Sequence, residues 1–574
     1  MDGATDDLRL TARRGHRAAG EVALLLILCG VVFLPGLTAL PWYGTEPLRV
    51  LVAREMYAAG DWPRPTIHGR PYLDKPPLFA WIVMSLARLL GHETIGAGVA
   101  RAPSVAAAAG YVLVIWQAAR RMIHPGCGLI AGLMALCNFS LIEYAVRAEL
   151  DIGFMFFSAL ATLLLWPIAR PVLDETTPRL EGPALFVWWS GVYAALVAAS
   201  FWKAPHAFLF LLMTLLAIAA TRRSWRWLFA PAHLVCGTAA VSIVAAWYVW
   251  LTRVTSAGTV EQKLAAELYH RLVPNSLEYV RDLVIGPVQM YVVTLPASFL
   301  AGMLAFGGIR RLVPEPHRPL LWFLACWLVP ISVFLLFARA DATRYLFPIF
   351  APTTLLGTLV WLIVCRRSEQ PSESALVRLA HALPTALAAG GAIATGLLAV
   401  LLLAGRLPAT GESLSLTHGY AWSIVPALIS APLLAVWCIR VRDGSARLLL
   451  GLAGVLLSAK CAHQLWYAPS RAAEFDHARR IAALRSATHD GPLFVLARQP
   501  ISEVVIGYPH PVRWPANVEE AFEYTAGAPA YFVVRSRDFA REVNVPPDRI
   551  VRQTNVETAK DSLVVLKIAP PTRP

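Results

Sequence analysis

Residues 43–78 read YGTEPLRVLVAREMYAAGDWPRPTIHGRPYLDKPPL. This polar stretch follows an apolar run at 20–40, and most of the chain from there to about residue 470 consists of further apolar runs. The 574 residues are 57% hydrophobic and 15% charged, whereas soluble globular chains carry about 25% charged residues. Repeated apolar runs of about 20 residues are typical of helices that cross a bilayer. The composition therefore predicts an α-helical polytopic membrane protein whose first loop, residues 41–96, is polar.

The apolar runs predict about thirteen membrane spans. We place them at 20–40, 97–118, 127–146, 152–169, 185–202, 205–220, 230–251, 286–306, 318–338, 345–364, 383–404, 420–438 and 447–467. The run 78–91 opens after Pro76-Pro77 and contains Arg88. We predict an interfacial or re-entrant helix there, because about 14 residues cannot cross about 30 Å of hydrocarbon.

Arginine pairs between the spans set the predicted orientation. With 78–91 outside the count, these pairs fall on one side: Arg13-Arg14, Arg120-Arg121, Arg222-Arg223, Arg310-Arg311, Arg366-Arg367, and Arg440 with Arg442. The positive-inside rule makes that side the cytoplasm. We therefore expect a bacterial inner-membrane protein with a cytoplasmic N-terminus, a periplasmic C-terminus and a periplasmic first loop. Topology also accounts for much of the net charge of +14, so we expect no nucleic-acid partner.

Further ionisable residues gather on the predicted outer side. They are Arg147 and Asp151, Lys203, Glu267 and Arg271, and Arg344 with Tyr345. Ionisable groups at the edge of a membrane usually mark a functional site. Arginine and lysine are the usual ligands of phosphate, so the pattern predicts an outward-facing cavity that holds carboxylates and an anionic ligand.

The first loop resembles that of the bacterial GT-C membrane glycosyltransferases. The likeness is greatest to the branch that contains the aminoarabinose (lipid A) transferases, related to the protein O-mannosyltransferases. The matching residues, in order and spacing, are Glu46, Arg54-Glu55-Met56, Gly60-Asp61-Trp62, Pro65, His68-Gly69 and Asp74-Lys75-Pro76-Pro77-Leu78. Later matches are Arg147 with Asp151, Lys203-Ala204-Pro205, and Arg344-Tyr345-Leu346-Phe347-Pro348. The likeness covers about the first 365 residues and is most specific in the first 80.

This resemblance implies transfer of a sugar from a polyprenyl-phosphate donor at the outer face of the membrane, with inversion. It implies catalytic roles for Glu46 and Asp151. It also implies that the donor phosphate or sugar is bound by Lys75, Arg70, Arg147, Lys203, Arg344 and Tyr345. Contacts to the acceptor or the donor are implied for Asp74, Glu267 and Arg271. Two positions depart from the family pattern, because Thr45 stands where the first acid of an Asp-Glu pair is usual and Leu48 stands where an arginine is usual. We move the role of the base to Glu46 and do not assume aminoarabinose specificity.

Most of these residues also have ordinary structural explanations. Glu46 and Asp151 could stabilise helix N-termini, and Lys75 could extend from an interfacial helix. Lys203 could merely end a span, Arg344 and Tyr345 could anchor at the interface, and Glu267 with Arg271 could form an i,i+4 pair.

The chain changes character after about residue 470. Residues 471–574 predict a small periplasmic α/β domain, separate from a membrane domain of residues 1–470. Strands are expected at 492–497, 530–535 and 562–568, and helices at 473–486, 518–524 and 537–542. No catalytic motif is evident in this region.

We therefore expect a polyprenyl-phosphate-sugar-dependent glycosyltransferase. The acceptor stays open between lipid A phosphate, another lipid or glycan, and a protein hydroxyl. We expect no metal or nucleotide cofactor, and a monomer surrounded by membrane lipids. A transporter or flippase of a lipid-linked sugar is the main alternative, but transporters place ionisable residues near the bilayer midplane. A non-catalytic outer-face receptor would leave the Asp74-Lys75-Pro76-Pro77 motif unexplained.

Overall fold

The structure is a computed structural model, and it describes most of residues 2–570. The residues outside the description are 39, 41, 43, 73, 255–275, 339–342, 368–374, 407–420, 476, 490, 497–507, 509–511, 514, 516–517, 526–527, 529, 537–538, 540–542, 544 and 557–561. The predicted site residues Glu267 and Arg271 therefore lie outside the described residues, as does most of the helix predicted at 537–542.

The chain forms two compact units. Met1–Leu37 and Arg101–Trp466 form the first, called the membrane unit, and Thr38–Ala100 and Tyr467–Pro574 form the second, called the loop unit. The first loop thus belongs to the same unit as the C-terminal residues. The division into domains at residue 470 stays a prediction.

Long helices dominate the membrane unit, as the apolar runs predicted. Their bounds are Asp2–Phe33, Ala97–Ala118, Gly128–Leu136, Phe139–Ala145, Leu150–Leu164, Trp166–Leu173, Gly182–Trp202, His206–Arg222, Pro231–Val254, Ser276–Val293, Ala297–Gly302, Gly307–Arg311, Arg318–Phe337, Phe350–Arg367, Ala375–Leu403, Ala421–Arg440 and Gly444–Ala462. Among the described residues, eight helices are long and apolar enough to cross a membrane, or up to eleven if three bent pairs each count as one span. This confirms a helical polytopic membrane protein.

Each of the thirteen predicted spans coincides with a helix or a bent pair. The bent pairs are Pro125–Leu136 with Phe139–Ala145 at 67°, Leu150–Leu164 with Trp166–Leu173 at 44°, and Leu283–Val293 with Ala297–Ala305 at 118°. The largest bend contains Pro296 as the N-cap residue of the second helix, and proline cannot donate the backbone hydrogen bond that would continue the first. Two predicted spans fall outside the eight to eleven, because His206–Arg222 is a shorter apolar helix and Ala421–Arg440 is described only in part at its side chains.

Helix packing in the membrane unit brings together the helices that carry the candidate residues. Leu150–Leu164 packs against Gly182–Trp202, and the 3-10 turn Thr343–Ile349 packs against Leu150–Leu164. Gly153 allows the first of these contacts, because a Cβ atom there would lie 2.0 Å from Cε2 of Trp202. The residue after Trp202 is Lys203, so this close approach fixes where the lysine backbone lies.

The loop unit contains two short helices and a hairpin from the first loop. Helix Glu46–Ala59 is followed by β1 (Thr66–Ile67), β2 (Arg70–Pro71) and helix Leu78–Leu89. The last of these is the short apolar helix expected at 78–91, and it spans 12 residues.

The C-terminal part of the loop unit forms the predicted small α/β fold. Helices Ala468–Phe475, His477–Thr488 and Val518–Tyr524 accompany strands β3 (Leu493–Val495), β4 (Ala530–Arg535), β5 (Ile550–Val556) and β6 (Leu563–Ile568). The sheet order is β3-β4-β6-β5, with β3 parallel to β4 and the other neighbours antiparallel. Phe494, Phe522 and Phe532 form part of its buried core.

Strand β5 was not predicted. Its sequence IVRQTNV has four exposed residues and lies at the edge of the sheet. The predicted helix 473–486 is instead two helices on either side of residue 476.

Candidate functional site

Asp151 and Lys203 form a buried ion pair in the membrane unit. Asp151 lies in the first turn of Leu150–Leu164, and Lys203 is the C-cap residue of Gly182–Trp202. The Nζ atom of Lys203 donates to Oδ1 of Asp151 at 2.5 Å, and the two side chains are 11% and 5% exposed. An ammonium has three N–H donors, so this hydrogen bond uses one of them.

Arg147 lies between two carboxylates. Its Nη1 atom is 3.2 Å from Oε1 of Glu143, and its Nη2 atom is 2.9 Å from Oε1 of Glu149. All three side chains are buried. The Ser104 hydroxyl donates to the Glu149 carbonyl at 3.1 Å, which ties the connection between two helices to helix Ala97–Ala118. The guanidinium is thus held in a fixed orientation at the end of helix Phe139–Ala145.

The turn Thr343–Ile349 adds a third cation and an aromatic ring. The Tyr345 ring centroid lies 5.1 Å from Nζ of Lys203 and 5.4 Å from Cζ of Arg344. Arg344 also interacts electrostatically with Glu149 and Asp151. Cations over an aromatic face are attracted by its quadrupole, so Tyr345 lies against both cations.

These six charged residues define the charge cluster: Glu143, Arg147, Glu149, Asp151, Lys203 and Arg344. It balances three carboxylates against three cations. Each buried charge costs several kcal/mol unless it is paired. Pairing alone would therefore be enough if the cluster served only to stabilise the fold. A balanced cluster with three cations can also receive an anion if a carboxylate exchanges partners, which is what phosphate binding would require.

The charge cluster lies at the helix ends opposite the arginine pairs. Helix His206–Arg222 starts three residues after Lys203 and ends at Arg222. Helix Phe350–Arg367 follows the turn with Arg344 and ends at Arg367. The sequence analysis also placed the site residues and the arginine pairs on opposite sides of the membrane, because they lie at opposite ends of the same spans.

Glu46 is the first residue of helix Glu46–Ala59 in the loop unit. Its side chain is fully buried, and Thr45 occupies the N-cap position without a side-chain hydrogen bond to the helix. An acid in the first turn interacts favourably with the helix dipole. The position therefore fits the structural explanation for Glu46, and it keeps the side chain away from water.

Glu55 organises the hairpin that follows. Its carboxylate accepts hydrogen bonds from Thr66 Oγ1 at 2.9 Å, His68 N at 2.6 Å and Gly69 N at 3.2 Å. His68 and Gly69 both have positive φ, at 54° and 77°, as the two-residue turn between β1 and β2 requires. Burial raises the pKa of Glu55, and these hydrogen bonds oppose the shift. Two family-like motif positions, Glu55 and His68-Gly69, thus have a structural role here.

Arg70, Asp74 and Lys75 lie along the connection from the hairpin to helix Leu78–Leu89. Arg70 is half-buried in β2 and interacts electrostatically with Glu520 of the C-terminal part. Asp74 is exposed and Lys75 is half-buried. Pro77 is the N-cap residue of the helix, and its carbonyl accepts from Trp81 N at 2.9 Å. The rigid pair of prolines thus separates Lys75 from the helix start.

The structure brings together five of the predicted site residues in the membrane unit. They are Arg147, Asp151, Lys203, Arg344 and Tyr345. Glu46, Arg70, Asp74 and Lys75 belong to the loop unit. The sequence analysis missed Glu143 and did not assign a role to Glu149. Glu143 could have been found from its spacing, because it lies four residues before Arg147, the distance at which helical side chains pair.

Comparisons with known proteins agree with the family resemblance. No protein-family model matches the sequence. The undecaprenyl phosphate-alpha-4-amino-4-deoxy-L-arabinose arabinosyl transferase of Pseudomonas paraeruginosa is 26% identical over 343 residues, which cover 58% of this chain and 58% of that protein. The protein of the same name from Edwardsiella ictaluri is 29% identical over 215 residues, or 36% of each chain. The matched segments thus span 58% of the first relative and 36% of the second.

The fold comparison extends over nearly the whole chain. The crystal structure of ArnT from Cupriavidus metallidurans bound to undecaprenyl phosphate has a TM-score of 0.65 at 19% identity, covering 97% of this chain and 100% of that one. Its apo structure has a TM-score of 0.63 at 18% identity. At this identity the likeness establishes a shared fold. The chain therefore shares the GT-C membrane fold of these structures, and its sequence is similar to proteins named as aminoarabinose transferases, as the motifs of its first loop predicted.

Proposed function

We propose that the protein is a glycosyltransferase that moves a sugar from a polyprenyl phosphate to an acceptor at the outer face of the inner membrane. The observation that carries the proposal is the charge cluster in a chain with the GT-C fold. Its three carboxylates and two of its cations are buried at one end of the helices, and its third cation, Arg344, is half-buried. Relatives of this chain bear the name of an undecaprenyl-phosphate-dependent transferase, which supports the choice of donor.

Lys203, Arg344 and Arg147 are the proposed donor ligands within the membrane unit. Breaking the bond between the anomeric carbon and the phosphate oxygen leaves negative charge on the lipid phosphate, and cations stabilise that charge as it develops. In this proposal Asp151 is a positioning residue, because its 2.5 Å hydrogen bond holds the Lys203 ammonium. The Tyr345 ring lies against Lys203 and Arg344 and helps to hold both cations in position.

The need for a general base depends on the acceptor. A hydroxyl acceptor must lose a proton as it attacks the anomeric carbon, and a carboxylate such as Glu46 can take it. A phosphate monoester has a second pKa of about 6, so a lipid A phosphate is already an anionic nucleophile at neutral pH. In that case the carboxylates act by orienting the acceptor and by stabilising positive charge on the sugar ring. Lys75 and Arg70 of the first loop stay proposed phosphate or sugar ligands, and Asp74 a proposed acceptor or donor contact.

The orientation is part of the proposal. The arginine residues that end His206–Arg222 and Phe350–Arg367 lie at the opposite helix ends from the charge cluster. The positive-inside rule then places the charge cluster on the periplasmic side. The C-terminal α/β fold would lie on that side too and would help to select acceptors. We propose that no metal or nucleotide takes part, and that the protein acts as a monomer.

A transfer assay with purified protein tests the proposal. Detergent-solubilised protein is incubated with undecaprenyl phosphate linked to aminoarabinose, and with lipid A as acceptor, and products are followed by mass spectrometry. We expect a new glycosyl mass with wild type and a loss of at least 100-fold in rate with Lys203→Met. The matched lysine control is Lys567→Met, whose ammonium lies over Tyr531 in the C-terminal sheet, and it should keep the wild-type rate. Transfer at an equal rate by Lys203→Met would refute the role of the charge cluster.

A further inference from the structure

A second buried cation lies in the membrane unit, outside the charge cluster. Lys460 is in the last turn of Gly444–Ala462 and is 3% exposed. Its ammonium has no hydrogen-bond partner within the described part of the chain, and the neighbour that interacts with it electrostatically and would favour its charge is a thiol, that of Cys461. A buried lysine is almost always paired, so the lack of a carboxylate partner among the residues that the structure describes needs an explanation.

The backbone beside Lys460 is irregular. Residues His463–Tyr467 form a π-helical turn, and His463 and Gln464 on it are buried. Single π-helical turns occur frequently at functional sites because they redirect side chains within a helix. The turn thus places two further polar side chains directly after Lys460.

The same turn lies near the charge cluster. His463 meets Phe139 edge-on, with ring centroids 6.1 Å apart, and helix Gly444–Ala462 packs against Gly128–Leu136 and Phe139–Ala145. His463 interacts electrostatically with both Lys460 and Arg147. The charge cluster is balanced, so Lys460 is a further amine beside it, with no hydrogen-bond partner among the described residues.

We propose that Lys460, together with His463 and Gln464, forms an anion subsite that takes a phosphate group of a lipid substrate. The subsite supplies an ammonium, an imidazole and an amide, all of which can donate hydrogen bonds to phosphate oxygens. A phosphate there would stabilise the charged form of Lys460 and accept its hydrogen bonds, and the lipid chain would lie along the helices that surround it. The phosphate belongs to the polyprenyl donor or to the acceptor lipid, and both have the same chemistry. The inference rests on the proposed function and extends it to a residue outside the family-like motifs.

Ligand binding to two uncharged variants tests the subsite. Wild type, Lys460→Met and Lys460→Gln are purified in detergent, and their affinities for undecaprenyl phosphate, undecaprenol and bisphosphorylated lipid A are measured by native mass spectrometry. Loss of a charge-assisted hydrogen bond should weaken binding of one phosphorylated lipid on the order of 10- to 100-fold in both variants. Undecaprenol has no phosphate, so its binding should not change.

The three ligands separate the possible results. Weaker binding of undecaprenyl phosphate assigns the subsite to the donor, and weaker binding of lipid A assigns it to the acceptor. Equal binding of both phosphorylated lipids by wild type and both variants would overturn the subsite and leave the proposed function intact. Failure of wild type to bind undecaprenyl phosphate would instead overturn the proposed function.

Thermal stability without ligand provides a second measurement. A lysine that serves only to stabilise the fold would have a partner, and its replacement would lower the melting temperature. Lys460 has no such partner in the described structure, so Lys460→Met should melt at or above the wild-type temperature. A large drop in melting temperature for both variants would identify Lys460 as a structural residue and would contradict the subsite.

Discussion

The Asp151–Lys203 pair allows structural and catalytic roles to be separated by a double-mutant cycle. Lys203→Met leaves the 5% exposed carboxylate of Asp151 without the ammonium that lies 2.5 Å away. Breaking a buried ion pair on one side typically costs about 3–5 kcal/mol of unfolding free energy, because the remaining charge stays buried and uncompensated. We expect a loss near the lower end of this range for Lys203→Met, because Arg344 still interacts electrostatically with Asp151. Asp151→Leu should cost less, since the Lys203 ammonium retains the faces of Phe154 and Tyr345.

The double variant Asp151→Leu/Lys203→Met should recover most of that stability. Replacing both members of a buried pair by apolar residues is often neutral or stabilising. It should nevertheless have no transferase activity, because the phosphate ligand is gone. Unfolding free energies are measured by denaturant titration in a fixed detergent, and activity by the transfer assay. The control is Arg318→Met at the exposed Arg318–Glu315 pair, where we expect less than about 1 kcal/mol.

Two results would refute this reasoning. Unchanged stability of Lys203→Met would mean that the pair is not buried and desolvated as described. Transferase activity in the stable double variant would mean that the pair only stabilises the fold.

Further predictions concern close packing, pH, the general base and metal dependence. A Cβ atom at residue 153 would lie 2.0 Å from the Trp202 indole, so Gly153→Ala should displace Lys203 and lower the transfer rate at least tenfold. The control Gly191→Ala, where the nearest atom to an added Cβ lies at 3.5 Å, should keep the wild-type rate. Equal rates for the two variants would exclude a role of Gly153 in positioning Lys203. Burial lowers the pKa of His68 from 6.5 to about 4, so the unfolded chain takes up a proton there before the folded one does, and stability should fall as the pH decreases from about 6.5 to about 4. The His68→Asn variant tolerates the positive φ and should show a smaller drop in melting temperature over that range; an identical drop would contradict the assignment. Glu46→Gln should abolish transfer to a hydroxyl acceptor and retain part of the transfer to a phosphate acceptor, and full activity with a hydroxyl acceptor would remove Glu46 as the base. Incubation with EDTA followed by gel filtration should leave the transfer rate unchanged, and loss of activity that Mg²⁺, Mn²⁺ or Zn²⁺ restores would show that a metal takes part.

The helical architecture followed from the sequence because length and hydrophobicity decide which segments can cross a bilayer. Each predicted span coincides with a helix or a bent pair, but the bends were not predicted. The bend of 118° at Pro296 depends on which backbone carbonyls of the helix lose their hydrogen-bond donors. The hydrophobic periodicity of the sequence carries no such information. The edge strand Ile550–Val556 was missed for a related reason, because its exposed residues do not show a hydrophobic alternation.

The candidate site was predictable as a set of residues but only partly as an arrangement. Asp151, Lys203 and Arg344 were selected because ionisable groups gathered at one edge of a membrane usually mark a functional site, and because they match motifs of the family that the chain resembles. Lys203 pairs with Asp151, 52 residues away in the chain, because Gly153 permits a close contact with Trp202. Only the structure shows this contact. Lys460 was overlooked because a single lysine near the end of an apolar run resembles an ordinary interfacial residue. Its burial without a hydrogen-bond partner among the described residues distinguishes it.

Mass spectrometry of cells tests the central claim most directly. Lipid A, other surface glycolipids and exported glycoproteins are compared between a deletion strain and the same strain expressing wild type, Lys203→Met or Lys567→Met. We predict that one defined glycosyl mass disappears in the deletion strain, returns with wild type and Lys567→Met, and stays absent with Lys203→Met at equal protein levels. An unchanged set of glycosyl masses in all four strains, with a lipid-linked sugar accumulating on one leaflet of the deletion strain, would contradict a transferase and indicate a transporter.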